Sequence, residues 1–270
     1  MIASYHNHST FSDGKATIAQ IVDHAKTVGI DELGVSDHLC MRPSGECPAW
    51  AMAPDQLSRY VDELQLAQQR DGKPSIRIGL EVCWFPQQQN VIERVIEALP
   101  LDFLIGSVHE VDGYGVDGSA RGWEQFTPAA REQVHRRYWE LMKTLADSRL
   151  FDIVAHLDLP KKFGYRAQSD LSDVVGSALD AIAEAGMVVE LNTAGWHKPC
   201  ADAYPTLDIL RQCRTRDIAV MISADAHQPE HLLRDFDRAA ARLQEAGYRE
   251  VARFRERKAQ MEPLDAATAD

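Results

Sequence analysis

Positive charge is scarce in this chain: 29 Lys and Arg stand against 41 Asp and Glu over 270 residues, a formal net charge of −12. Contact with a nucleic-acid backbone needs clustered cations, so this balance excludes a broad nucleic-acid partner. A small anionic substrate stays compatible, because bound metal ions can supply positive charge locally. Long apolar runs are absent; none approaches the roughly 20 residues a membrane helix needs, so no membrane partner is expected. The first residues show neither a basic segment nor a cleavage site, which reads against a signal peptide and makes the cytoplasm the expected compartment. Cysteine is sparse and unpaired. Cys40, Cys47, Cys83, Cys200 and Cys213 are odd in number and form no C-x-x-C pair, which excludes a disulfide framework and a structural zinc ribbon. There is no low-complexity tract and no long linker.

What is present is a repeated arrangement. Seven short apolar runs occur at Met1–Tyr5, Leu33–Ser36, Ile76–Leu80, Phe103–Val108, Phe151–Ala155, Met187–Leu191 and Ala219–Ala224. They lead into His6-Asn-His8, Asp37-His38, Glu81, His109, His156, Asn192-Thr193 and Asp225-Ala-His227, so six of the seven deliver metal-type ligands. Amphipathic stretches lie between them, at Thr17–Val28, Asp55–Gln69, Asn90–Leu99, Pro128–Ser148, Ser172–Ala185 and Thr206–Thr215. Strand–helix repetition implies parallel pairing, and in an α/β barrel all strand C-termini meet on one rim. The expected fold is a single-domain, distorted (β/α)7 TIM-like barrel spanning residues 1–260, with a metal site at the C-terminal face of its strands. Pro229–Lys258 reads as helical, and 261–270 as a frayed tail. The irregular segments Leu39–Pro54 and Glu110–Thr127 follow strand ends and should lie over the site, with Trp50, Tyr114 and Trp123 available to stack on substrate or to anchor the loops.

Residues two apart on a strand share a face, so His6 and His8 can grip one ion, and Asp225 and His227 can lie side by side. Asp37 and His38 point oppositely. His38 is the expected ligand and Asp37 the group that orients a neighbour. Glu81, a lone carboxylate at the end of a buried strand, needs a cation, and bridging two ions would satisfy both its oxygens. The expected assignment places His6, His8, Glu81 and Asp225 on one ion, Glu81, His109 and His156 on a second, and Asp13, His38 and His227 on a third. Asp13 reads alternatively as a helix N-cap or turn residue. Imidazole and carboxylate donors suit two or three divalent ions of zinc, manganese or iron. His24, His135 and His231 fall in helical segments and are given no ligand role.

These motifs are similar to those of a known family. His6-Asn-His8-Ser-Thr-Phe-Ser-Asp13-Gly14, Ser36-Asp37-His38, Gly106-Ser-Val-His109 and Ser223-Ala-Asp225-Ala-His227 resemble the metal motifs of the PHP (polymerase and histidinol phosphatase) superfamily, from residue 2 to about 230. Gly106–Gly113, His156–Gly164 and Glu190–Pro199 resemble its monofunctional histidinol-phosphate phosphatase branch. The resemblance implies hydrolysis of a phosphate monoester, L-histidinol phosphate, by two or three metals. It puts Lys161 or Lys162, with His197 and Lys198, on the phosphate; at His197 the chain departs from the family's usual arginine, and a histidine cannot make the forked contact of a guanidinium. Asp225 and His227 are candidates to protonate the leaving group. Glu110, Asp112 and Trp50 stand in the loops that would face the substrate's amine and imidazole. Two alternatives remain at this point: a phosphoesterase acting on a nucleotide or other small phosphate, and a non-catalytic metal-holding module.

Overall fold

The computed structural model describes residues 1–70 and 72–264. In chain order the strands are β1 (Ala3–Ser4), β2 (Glu32–Val35), β3 (His38–Leu39), β4 (Ser75–Cys83), β5 (Phe103–Ser107), β6 (Glu110–Val111), β7 (Tyr114–Gly115), β8 (Ile153–Val154), β9 (Val188–Asn192), β10 (Val220–Ser223), β11 (Glu250–Arg255) and β12 (Lys258–Pro263). The helices are α1 (Ile18–Thr27), α2 (Leu57–Gln68), α3 (Gln89–Glu97), α4 (Ala120–Glu124), α5 (Pro128–Asp147), α6 (Ser172–Ala185), α7 (Leu207–Thr215) and α8 (Phe236–Glu245). The six amphipathic stretches fall on α1, α2, α3, α5, α6 and α7. Their starts are set locally: Thr17, Thr127 and Thr206 each accept a hydrogen bond from a backbone N–H of the first turn, and Thr17 forms a capping box with Gln20.

The parallel strands pair in the order β1-β2-β4-β5-β8-β9-β10, with β3 also paired to β4. Past the ends of β1 and β10 the ring draws together: Asn7 bridges Ala226, with His8 N–H donating to the Ala226 carbonyl at 2.8 Å and Ala226 N–H to that of His6 at 3.1 Å. The result is a nearly closed seven-strand α/β barrel. Its strands are apolar because both faces are covered, the outer by helices and the inner by barrel filling. Tyr5, Phe103, Ile105, Ile153, Ala155, Val188 and Met221 fill the bore. Phe103 takes the space that side chains at Gly34 and Gly79 would need; a Cβ on Gly79 would lie 2.1 Å from its ring.

The C-terminal part differs from expectation. Only Phe236–Glu245 of the segment read as helical is α-helix; β11 and β12 then form an antiparallel hairpin, so Met261–Pro263 are strand and not frayed tail. The remainder of that tail, 265–270, lies outside the described residues. Ala252 and Phe254 join the bore cluster, and Phe254 N–H donates to the Tyr5 hydroxyl at 3.1 Å, so the hairpin closes the barrel at its N-terminal end. Its turn, Glu256-Arg257, has φ of 51° and 63° at residues that are not glycine. Arg257 is fixed by Asp152, Nε to Oδ2 at 2.5 Å, and by its N–H on the Asp102 carbonyl at 2.8 Å. With one end sealed, the opposite rim is left for chemistry.

Candidate metal centre

Glu81 is the hub. It lies on β4, two residues before the strand's end, is fully buried, and turns its two oxygens to different partners. Oε1 meets His156 Nε2 at 3.0 Å and His109 Nε2 at 3.4 Å. Oε2 meets His38 Nδ1 at 2.7 Å, His6 Nε2 at 3.1 Å and His8 Nε2 at 3.6 Å. Asp225 Oδ1 lies 3.2 Å from His8 Nε2 and 3.7 Å from His6 Nε2. Asp13 Oδ1 lies 3.2 Å from His227 Nε2 and 3.6 Å from His38 Nε2. All nine residues of the expected ligand set therefore converge, but their grouping departs from the expected one: His8 stands with Asp13, His38 and His227 as well as with His6 and Glu81. His38 differs: it faces Glu81 with one ring nitrogen and Asp13 with the other.

The backbone is arranged to bring them in. His156 and Asp225 adopt left-handed conformations, φ 23° and 50°, which side chains other than glycine hold only where the surroundings compel it. His156 N–H donates to Glu190 Oε1 at 2.6 Å. Asp37, fully buried, accepts from Ser9 N–H and Oγ at 2.8 and 2.7 Å and from Ser12 N–H and Oγ at 3.1 and 2.5 Å, and so shapes the turn that carries His8 and Asp13. Gly14 is demanded there, since a Cβ would fall 2.2 Å from the His8 carbonyl oxygen.

Among the described residues, buried atoms without a hydrogen-bond partner concentrate here: His6 Nε2, both ring nitrogens of His8, His38 Nδ1, Glu81 Oε2, His156 Nδ1 and Asp225 Oδ1. Buried polar groups are normally satisfied. Three sets, His8 with Asp13, His38 and His227, His6 with His8 and Glu81, and His38 with Glu81 and His109, bring their donor atoms within 4.8 Å of one another. Unsatisfied imidazole nitrogens aimed at carboxylate oxygens are a donor set that fits divalent cations.

In the metal-free chain, burial alone would drive protons from the histidines. For His6 it is outweighed by Glu190, Asp225 and Glu81, which hold its pKa well above the usual imidazole range. His38 and His156 are likewise raised against burial, chiefly by Glu81. His227 rises to about 9 against desolvation, through Asp13 and Asp225. His8 falls to about 3 through burial and the nearby His38 and His227, and His109 to about 4 through burial. Burial would raise Glu81 and Asp225, but the surrounding histidines hold both well below the carboxylate range.

Sequence reasoning did not single out Glu190. Fully buried on β9, its carboxylate accepts from His6 Nδ1 at 2.7 Å, Ser223 Oγ at 2.8 Å, Asn192 Nδ2 at 2.9 Å and the His156 N–H. The signal was alternation: Glu190 and Asn192 share the inward face of a strand whose other residues are apolar.

The centre opens into a cavity of about 460 Å³, whose lining includes Asp13, Lys15, His38, Trp50, His109, Asp117, Lys162, Lys198, Asp225, His227 and Arg234. Of the residues expected on phosphate, Lys162 and Lys198 reach it. Lys161 does not: it is buried away from the cavity, its Nζ 2.8 Å from Asp158 Oδ2 and 2.5 Å from the Ala203 carbonyl. His197 is also turned away, its Nε2 2.5 Å from Asp235 Oδ2. Glu110 and Asp112 line a separate groove, where Glu110 is held by Arg42 Nε at 2.8 Å. Trp50 lies 5.0 Å from the His38 ring and 5.4 Å from that of His109. Tyr114 and Trp123 instead pack within their loop, 5.7 Å apart and against Phe126. Asp117 and Arg234, which sequence reasoning also passed over, come from loops whose path only the tertiary structure defines.

A barrel with histidines and carboxylates gathered at its rim is shared by several families of metal-dependent enzymes, of which the sequence matches one. The chain belongs to it: the PHP domain model matches residues 4–194. A probable histidinol-phosphatase of Deinococcus radiodurans is 36% identical over 241 residues, covering 87% of this chain and 89% of that protein. The histidinol-phosphatase of Bacillus subtilis is 26% identical over 247 residues, covering 83% and 92%. Among solved structures, the Lactococcus lactis histidinol phosphate phosphatase, complexed with zinc, L-histidinol and phosphate, superposes with a TM-score of 0.78 at 23% identity over 96% of this chain and 98% of that one. No helix among the described residues is long and apolar enough to cross a membrane.

Proposed function

We propose that this chain is a metal-dependent phosphate monoester hydrolase acting on L-histidinol phosphate, releasing L-histidinol and inorganic phosphate in histidine biosynthesis in the cytoplasm. The observation that carries it is the set of unsatisfied imidazole and carboxylate atoms around Glu81, opening into a cavity that also holds Lys162 and Lys198. The 36% identity to a probable histidinol-phosphatase supports the substrate.

His6, His8, Glu81 and Asp225 would hold one ion, Glu81, His109 and His156 a second, and Asp13, His38 and His227 a third, with two or three sites filled by zinc, manganese or iron. Such ions supply Lewis-acid stabilisation of phosphoryl oxygens and a water made acidic enough to attack near neutral pH. Lys162 and Lys198 place positive charge where the transferring phosphoryl group sits. Lys162 is set at the cavity by Asp117, whose carbonyl accepts from its Nζ at 2.9 Å. His227 is pinned through Nδ1 to the Asp225 carbonyl at 3.0 Å, with Nε2 towards Asp13. If the Asp13–His38–His227 site is left empty, that geometry fits His227 to hand its Nε2 proton to the departing alkoxide; Asp225, held ionised by the surrounding histidines, has none to give. Trp50 offers an aromatic face beside the centre for the substrate's imidazole.

The test is steady-state phosphate release from L-histidinol phosphate against a panel of nucleotides and sugar phosphates, with metal content determined in the same preparation. A preference of about a hundredfold in kcat/KM, roughly 2.7 kcal/mol of transition-state binding, supports the reading. Flat selectivity on metal-loaded protein would refute the substrate.

A further inference from the structure

Arg234 stands out among the cations of the cavity. It lies between the short 3-10 turn Pro229–His231 and α8, and lines the cavity with Lys162, Lys198, Asp225 and His227. The two arginines of the helix that follows are committed elsewhere, Arg242 to Asp202 and Arg238 over the Trp196 ring at 4.0 Å. Among the described residues Arg234 has no carboxylate within ion-pair distance; its Nη1 meets only His231 Nε2, at 3.3 Å, and its Nε is buried without a hydrogen-bond partner. A half-buried guanidinium with unused donors calls for an anion. Lys198 also has no carboxylate within ion-pair distance among the described residues.

The backbone of Arg234 is fixed from two sides. Thr193 Oγ1, just after β9, donates to the Arg234 carbonyl at 2.8 Å. His197, on the same turn, holds Asp235, which sits in the left-handed region at φ 60°. The loop after β9 thus grips both residues and sets the point from which the Arg234 side chain extends. His197 is itself spent on this contact.

On the proposed phosphatase reading, the geometry points to Arg234 as a phosphate-binding residue of this chain, its guanidinium acting with Lys162 and Lys198, and to Thr193 and His197 as the residues that position it. A planar guanidinium can make two parallel bonds to phosphate oxygens, which an ammonium cannot.

Inhibition by inorganic phosphate, and turnover of p-nitrophenyl phosphate and L-histidinol phosphate, would be measured on the metal-loaded wild type, Arg234→Gln and Arg234→Lys, each with its metal content determined. Arg234→Gln is expected to weaken inorganic phosphate and raise KM for both esters by roughly tenfold to a hundredfold with metal content unchanged, and Arg234→Lys to recover part of the loss. Unchanged phosphate inhibition with metal retained would overturn the assignment. So would loss of metal in both variants, which would make Arg234 a support of the centre. If the wild type shows no preference for L-histidinol phosphate while inorganic phosphate still depends on Arg234, the substrate reading fails and the arginine stands.

Discussion

His6 and Glu190 are both fully buried and stand 2.7 Å apart, Nδ1 to Oε2. A carboxylate only accepts, so Nδ1 keeps its proton, and when the Nε2 proton leaves, the lone pair it uncovers is turned to the side where Glu81 and Asp225 converge. One acidic residue behind the centre thus sets the tautomer of the histidine in front of it.

Glu190→Gln should therefore weaken metal binding by roughly 10–100-fold, since an amide brings its own N–H groups against a set of donors. Titration with zinc against a competing chelator measures it. Wild-type affinity in the variant would show that His6 is oriented without Glu190.

Metal loading should release protons. His227 has its pKa raised to about 9 in the metal-free chain, so at neutral pH an ion must displace its proton, and His6, His38 and His156, raised as well, hold their protons more tightly than free imidazoles, whereas Glu81 and Asp225 are already ionised. Affinity should rise with pH up to about 9. The metal-free fold has the opposite trend: stability from these raised histidines is complete below their unfolded pKa of about 6.5 and is lost as pH rises through the folded values. Calorimetry in buffers of different ionisation enthalpy reads the protons directly, and a pH-independent affinity would contradict this.

Adjacent lysines should behave differently. Lys161, buried among Asp158, the Ala203 carbonyl and Asp202, ties the loops after β8 and β9 together. Lys161→Ala leaves the buried Asp158 carboxylate unpaired and should cost stability on the order of 3–5 kcal/mol. Lys162→Ala should leave the melting temperature near wild type and raise KM. Identical profiles for the two would refute their separation.

The hairpin can be tested apart from the chemistry. Phe254→Ala opens a hole at the sealed end of the barrel and should cost about 3–5 kcal/mol in denaturant unfolding, with kcat unchanged below the transition. A fall in kcat without loss of stability would mean that the two ends of the barrel are coupled.

Much of the centre was legible because a parallel barrel sends every strand end to one rim, and single apolar runs ending in His6, Glu81, His109, His156 and Asp225 mark those ends without any knowledge of packing. Glu190 was hidden because it lies inside its run, one residue short of the end. Lys161 and Lys162 were indistinguishable, since only the 3-10 turn that carries them decides which points to the cavity. His197 looked like a phosphate contact until tertiary structure supplied Asp235. Of the β11–β12 hairpin, the part up to Lys258 was read as helix because the stretch is charged, and Met261–Pro263 as a frayed tail; its turn uses Glu256-Arg257 where a tight turn with positive φ normally advertises itself by Asn-Gly.

In the proposed assignment Glu81 joins the metal sub-sites, so Glu81→Gln is the decisive variant, with metal stoichiometry and phosphate release measured on the same samples beside the wild type and a His24→Gln control. Two or three ions per chain and full turnover are expected for wild type and control, with both lost together in Glu81→Gln. A Glu81→Gln protein that keeps its ions and its activity, or a wild type that hydrolyses phosphate esters without metal, would contradict that assignment.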